Sequence, residues 1–332
     1  MPVSSLPLPH APDTPTQGPV IACVDGSHRS QEIAQTAAHY AQSFDRPLVL
    51  YRVLEHSHDP AALPDPLEWN IRRQEARRDL RRLRDSLPEQ PGEVSLELNE
   101  GDWLVALADR VGETGALLVI GAPGSRESRD AGGRVARLVT QAPSGSLLLV
   151  PPGYAPRGIG SPRIAVPLDG SNFAEAALAE AARLARRSHA ELLLLHVIPE
   201  SGLTDFGPPA TSDLELRIRL DRRNAQAAGG FLERTRRRLV DQGLAVRSLC
   251  LKGDPRTSLL RALGEEAPDL VVLSAKGQGG KRCNDLSIGG TASYLLDHLT
   301  GPVMLVRPSG PLAGRALPIA PGERLPGSAH MA

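Results

Sequence analysis

Short apolar runs and amphipathic stretches alternate along this chain with little else between them. Val20-Ile21-Ala22-Cys23-Val24, LVLYRVL at 48–54, Val94-SLEL, Ala116–Ile120 and Ser146–Val150 are nearly continuous apolar runs of strand length. Such runs suit parallel strands buried on both faces of a sheet. Between them the period changes to that of a helix. Ile33, Ala37, Ala38, Tyr40, Ala41 and Phe44 share one helical face, with Ser27 placed to cap the first turn. In NIRRQEARRDLRRLRDSL the stripe Ile71, Leu80, Leu83 and Leu87 predicts a buried edge, with arginines and carboxylates paired on the solvent side. Residues 104–111 and the stretch through Val135, Leu138 and Val139 predict two further helices. Strict alternation of strands and helices argues for an α/β fold with a parallel, doubly wound sheet of five strands.

The pattern then starts again. Ile164-AVPL, Asp169-Gly170-Ser171, a helix with Ala174, Ala177, Leu178, Ala181 and Leu184, and Glu191-LLLLHVI repeat the opening order. A helix over 214–240, a strand at 270–274, a glycine loop, a helix start at Gly289-Gly290-Thr291 and Val303-MLV complete it. Asp25 answers to Asp169, Gly101-Asp102 to Gly253-Asp254, and Gly124 to Gly277. The chain is therefore read as two similar domains, 19–150 and 163–308, joined by a linker at 151–162. Residues 1–18 form a proline-rich arm expected to be disordered, and 309–332 a flexible tail.

Composition narrows the function. Lys+Arg and Asp+Glu balance at 38 each, so bulk charge gives no reason to expect nucleic acid or an anionic membrane as partner. The cysteines, Cys23, Cys250 and Cys283, have no metal-binding or disulfide spacing, and no run of apolar residues is long enough to span a bilayer. A cytoplasmic location is expected. His56 and His58 stand two residues apart with no third ligand nearby, and no metal site is assigned.

An aspartate at the carboxyl end of a first parallel strand sits where open α/β sheets bind ligands, so Asp25 and Asp169 can accept hydrogen bonds from a ribose or a base. The Asp-Gly turn by itself offers a plainer explanation, because Asp bonds its own backbone and Gly takes positive φ. Gly121 and Gly124 in one half, and Gly277, Gly289 and Gly290 with Thr291 in the other, lie between a strand end and a helix start. That arrangement offers backbone N–H groups to a phosphate. No GxSxG elbow, Walker lysine pair or HExxH is present, so no catalytic residue is assigned and the chain is not read as an enzyme. His196, inside LLLLHVI, reads as a satisfied buried imidazole.

Taken together, strand-DGS-helix, LLLLHVI, LKGDP and the glycine loops, present twice, resemble the universal stress protein family in its tandem form. The resemblance implies two five-stranded Rossmann-like domains paired through their last strands, Ser146–Val150 and Val303–Val306, as a pseudo-dimer. It also implies ATP held by a G-x2-G-x9-G-Ser/Thr loop and the strand-one aspartate. Here Gly121 and Gly124 are followed by Gly133-Arg134 with no hydroxyl, while Ser274 replaces the first glycine ahead of Gly277, Gly289, Gly290 and Thr291. Nucleotide is therefore expected mainly in the second domain, at Asp169, Gly277, Gly289, Gly290 and Thr291, and less in the first, at Asp25, Gly121, Gly124 and Gly133. The implied function is a stress-response protein that binds adenine nucleotide and protein partners without turnover, with room for homo-oligomers. A slow ATPase or adenylating enzyme and a ligand-free scaffold are the alternatives.

Overall fold

A computed structural model describes residues 18–55, 65–87, 93–114, 116–122, 146–156, 162–199, 211–277 and 288–306. The first half runs β1 (Val20–Cys23), α1 (Ser30–Ser43), β2 (Leu48–Leu54), α2 (Pro66–Asp85), β3 (Val94–Glu100), α3 (Trp103–Thr114), β4 (Leu117–Gly121) and β5 (Ser146–Val150). The second runs β6 (Arg163–Pro167), α4 (Asn172–Ser188), β7 (Glu191–Ile198), α5 (Thr211–Val240), β8 (Val246–Lys252), α6 (Pro255–Glu266), β9 (Leu270–Ser274), α7 (Gly290–His298) and β10 (Val303–Val306). The expected helix through Val135, Leu138 and Val139 lies outside the described residues, as do the arm at 1–17, His56, His58 and the tail beyond Val306.

The ten strands among the described residues belong to one sheet, in the order β3-β2-β1-β4-β5-β10-β9-β6-β7-β8. Within each half the pairing is parallel. The halves meet where β5 and β10 pair antiparallel, with Leu149 opposite Val303 and Leu147 opposite Leu305. The expected edge pairing of the last strands is thus present, and it makes the sheet continuous from one end of the molecule to the other.

Alternate residues of each strand feed opposite faces, which is why the strands read as unbroken apolar runs. One face packs α1, α2, α4 and α5 against Val20, Ala22, Leu148, Leu192 and Met304. The other packs α3, α6 and α7 against Ile21, Leu118, Leu149, Leu193 and Leu305. Each of these apolar clusters contains residues of both halves. Across the seam the Tyr40 hydroxyl donates to Asp269 O at 2.9 Å, and Arg187 Nη1 donates to Phe44 O at 2.7 Å.

The twice-repeated Gly-Asp proves to be a turn and a cap. Gly101 and Gly253 take φ of 120° and 122°, a region that disfavours side chains. Asp102 and Asp254 then accept from first-turn amides of α3 and α6. Two local expectations are corrected. Ser27 is not the cap of α1, which begins at Ser30. The Ser27 hydroxyl accepts from Arg29 N, and the Ser30 hydroxyl turns back to accept from Gly26 N. Ile71 does not join the buried stripe of α2. It is 49% exposed, and Ala76 and Leu80 are the buried residues, because the first two turns of the helix overhang the sheet.

One sheet and two shared apolar clusters imply one unfolding transition. Both tryptophans, Trp69 and Trp103, lie in the first half, so fluorescence reports that half while far-UV dichroism reports the whole chain. In urea the two signals are expected to coincide. Leu148→Ala, at the fully buried seam, is expected to lower both midpoints together, by about 2–5 kcal/mol of stability. Two separated transitions would contradict a shared core.

Candidate functional site

In a parallel sheet the carboxyl ends of the strands, with the amino ends of the following helices, form the crevice where ligands are held. Each half has such a crevice. In the second half it is a cavity of about 830 Å³ bounded by the ends of β6, β7 and β9, the starts of α6 and α7, and the flank of α5. Asp169, Gly277, Gly289, Gly290 and Thr291, far apart in sequence, all line it.

Asp169 is held by the turn that follows it. Its Oδ1 accepts from Ser171 N at 2.9 Å and from the Ser171 hydroxyl at 2.6 Å, and that hydroxyl also caps α4. The other oxygen, Oδ2, lies against the glycine loop. A Cβ on Gly277 would sit 2.5 Å from it, so only glycine lets the loop pass so close. Ser274 stands where Gly121 stands in the first half, and its hydroxyl accepts from Lys276 N. The loop returns to the sheet at Gly289, whose N–H donates to Ala275 O at 2.9 Å. Gly289 is the N-cap of α7 and makes no side-chain cap hydrogen bond, and Gly290 and Thr291 of the first turn line the cleft with the helix dipole behind them. Two cations flank this corner, Lys276 and Arg256, and Arg256 Nη2 lies 2.9 Å from where a Cβ on Gly290 would be. Arg256 has Asp254 as an anionic neighbour: the Thr257 and Arg256 amides, with the Arg256 charge, hold that carboxyl below its ordinary pKa. The far wall is apolar: Phe231, Ala227 and Ala228 of α5, with the His196 ring edge-on to Phe231. His196 Nδ1 bonds Leu168 O at 2.7 Å, as a satisfied imidazole would, but the ring is half-buried and lines the cleft where the sequence pattern predicted a buried one.

The first-half cleft, about 680 Å³, is built on the same plan from different chemistry. Asp25 and Gly121 line it, and Gly124 and Gly133 lie outside the described residues. Burial alone would raise the Asp25 pKa, but hydrogen bonds from Ser27 and Ser30 outweigh it and hold the carboxyl below its ordinary value. The inner corner is filled. Arg29 reaches under the ends of β4 and β5 and donates from Nη1 to Ala122 O at 2.6 Å and from Nη2 to Val150 O at 2.8 Å. Its guanidinium carbon is 3.1 Å from where a Cβ on Gly121 would be. Ala122 O corresponds to Ala275 O, so Arg29 bonds the carbonyl that the returning glycine loop bonds in the second half. Arg52, at the position of His196, pairs with Asp79, at the position of Phe231, 3.1 Å apart. An ion pair thus lies where the second half has two rings. Burial pushes the Cys23 thiol, on the same wall, far above its ordinary pKa.

Of the expected positions, the structure gathers the second-half set completely and leaves Gly121 under an arginine. Arg29 and Arg256 were not singled out from the sequence. A signal existed for Arg29, because the residue four beyond Asp169 is Phe173 where four beyond Asp25 is arginine. Among the described residues no group of three metal-ligating side chains comes together, and no helix is long and apolar enough to cross a membrane.

Comparison with known proteins decides the family. The universal stress protein family model matches residues 18–151 and again residues 161–307. The chain belongs to the universal stress protein family. It carries two copies of that family's domain, which accounts for the repeated order of elements. Over 147 residues, 44% of the chain, it is 25% identical to the universal stress protein YxiE of Bacillus subtilis, spanning 98% of that protein. It is 24% identical over 145 residues to the universal stress protein MJ0531 of Methanocaldococcus jannaschii, spanning 81% of it. Among solved structures, a universal stress protein from Archaeoglobus fulgidus matches 89% of this chain and 98% of its own, with TM-score 0.60 and 13% identity, a likeness of fold alone.

Arg29 is expected to be a structural cation. Arg29→Ala leaves Ala122 O and Val150 O without their charged donor and should cost about 2 kcal/mol in urea unfolding. Arg29→Lys should not restore it, because one ammonium lacks the planar fork that spans both carbonyls. Wild-type stability in either variant would contradict this assignment.

Proposed function

We propose that this universal stress protein binds an adenine nucleotide, ATP, in its second-half cleft, and that it acts through the occupancy of that site and through protein contacts, without appreciable turnover. The observation that carries the reading is the close approach of Gly277 to Asp169 beside a helix start that has glycine as its N-cap and Arg256 and Lys276 flanking it. The parts of a nucleotide suit these features in turn. Phe231, His196 and Ala227 offer an apolar wall for a base. Asp169 is an acceptor for a ribose or base donor. Gly277, Gly289, Gly290 and Thr291 offer amides and a hydroxyl to phosphates, and Arg256 and Lys276 offset phosphate charge.

The first half suits a nucleotide poorly. Arg29 fills the corner beside Gly121, and the Arg52–Asp79 pair takes the place of the apolar wall. Binding without turnover follows from what surrounds the second cleft. Fast phosphoryl transfer calls for a metal held by carboxylates or hydroxyls and a positioned water. Asp169 is the one carboxylate among the described residues lining this cleft, and Ser171 already engages it. A cytoplasmic setting and an unidentified protein partner belong to the same reading.

Calorimetric titration of ATP into the full chain tests it. Asp169→Ala is expected to abolish binding, Asp25→Ala to leave it unchanged, and Arg256→Ala to weaken it about tenfold with a shallower dependence on salt. Tryptophan fluorescence should stay unchanged through the wild-type titration, because both tryptophans line the other cleft. Loss of binding in Asp25→Ala with retention in Asp169→Ala would overturn the reading.

A further inference from the structure

The long helix α5 changes character along its length. From Ala228 onward it is anchored, with Ala228, Leu232, Thr235 and Leu239 buried against the sheet. From Glu215 to Ala227 no residue is buried. At the boundary stand two adjacent glycines, Gly229 and Gly230, in the helix interior.

Packing does not call for them. A Cβ on Gly229 would meet nothing within 4 Å, and one on Gly230 would meet only the end of the Arg234 side chain at 3.2 Å. In the first half, Ala76 and Leu80 of α2 are buried as Ala228 and Leu232 are in α5, and the two residues between the glycines' neighbours there are Arg77 and Arg78. Glycine is the residue that most weakens a helix interior short of proline, and glycine pairs are among the recognised causes of helix bending.

The free arm also carries the upper wall of the second-half cleft. Asn224, Ala227 and Phe231 line that cleft, and they straddle the glycines. Continuing their three-and-four spacing toward the amino end reaches Leu220 and Leu216, which are 40% and 55% exposed. Among the described residues the cleft wall therefore continues along the helix into exposed leucines, on the far side of the glycine pair from the anchored turns.

We propose that Gly229-Gly230 is a hinge, and that the arm from Glu215 to Ala228 closes as a lid over the second-half cleft when ligand is bound, carrying Leu216 and Leu220 against its mouth. The proposal rests on the nucleotide reading for the identity of the ligand and on the glycines alone for the hinge. The bend costs little because Ala228 is the one buried side chain that the arm carries. Closure removes Leu216 and Leu220 from water, a gain realised only when ligand fills the space beneath them.

Hydrogen–deuterium exchange on the full chain, wild type and Gly229→Ala/Gly230→Ala, with calorimetry on the same samples, tests both parts. Without ligand, amides of residues 216–228 in the wild type should exchange about tenfold faster than in the double-alanine protein, with those of 232–239 alike in both. With saturating ATP, wild-type amides of 216–228 should slow by about tenfold, and Leu216→Ala/Leu220→Ala should lose most of that slowing. Equal ligand-free exchange in the two proteins overturns the hinge. Measurable ATP binding with no change over 216–228 overturns the lid. No heat of ATP binding overturns the nucleotide reading instead, and the ligand-free pair still decides the hinge.

Discussion

The antiparallel pairing of β5 with β10 is the interaction on which the rest of this structure depends. Val303, Met304, Leu305 and Val306 lie opposite Leu149, Leu148, Leu147 and Ser146. Their side chains feed both apolar clusters, so the same four pairs join the hydrogen-bond ladder and the core. Because the join is antiparallel, the strands of the two halves run in opposite directions. Their carboxyl ends, and with them the two clefts, open at opposite edges of one sheet. The halves are further tied together by hydrogen bonds such as Tyr40 with Asp269 and Arg187 with Phe44.

On that common frame the clefts have diverged by substitution at matched positions. Where the second half has His196 against Phe231, the first has Arg52 paired with Asp79. Where the second docks its returning loop through Gly289 N onto Ala275 O, the first docks the Arg29 guanidinium onto Ala122 O. A resident guanidinium supplies both the hydrogen bond and the positive charge that a loop and helix terminus supply in the other half, so the corner is satisfied without a ligand. The second corner keeps a helix start whose N-cap is a glycine, with two cations, Lys276 and Arg256, beside it.

Much of the fold was legible in the sequence because parallel strands buried on both faces leave an unmistakable apolar signature, here written twice. The positions of Asp169, Gly277, Gly289, Gly290 and Thr291 were legible for a related reason, since each sits at a strand end or a helix start that the same pattern locates. The misses were contacts that no local period encodes. Arg29 meets carbonyls 93 and 121 residues away in sequence, and spacing arguments do not reach that far. Ser27 had the composition of a cap, but the Ser30 hydroxyl bonds Gly26 N and the helix starts later. Ile71 fits the stripe of α2 by period, yet period alone does not say where the sheet beneath the helix ends. The glycine pair in α5 was visible in the sequence, and its meaning emerged only once Ala228 and Leu232 proved anchored and Leu216 and Leu220 exposed.

The central claim is that one cleft of this two-domain universal stress protein takes an adenine nucleotide and the other is closed to it by its own arginine. Native mass spectrometry of the full chain with ATP tests this most directly, by counting ligands on each molecule. One bound nucleotide per chain is expected, persisting in Asp25→Ala and absent in Asp169→Ala. Two per chain, or one that survives Asp169→Ala, would contradict the account.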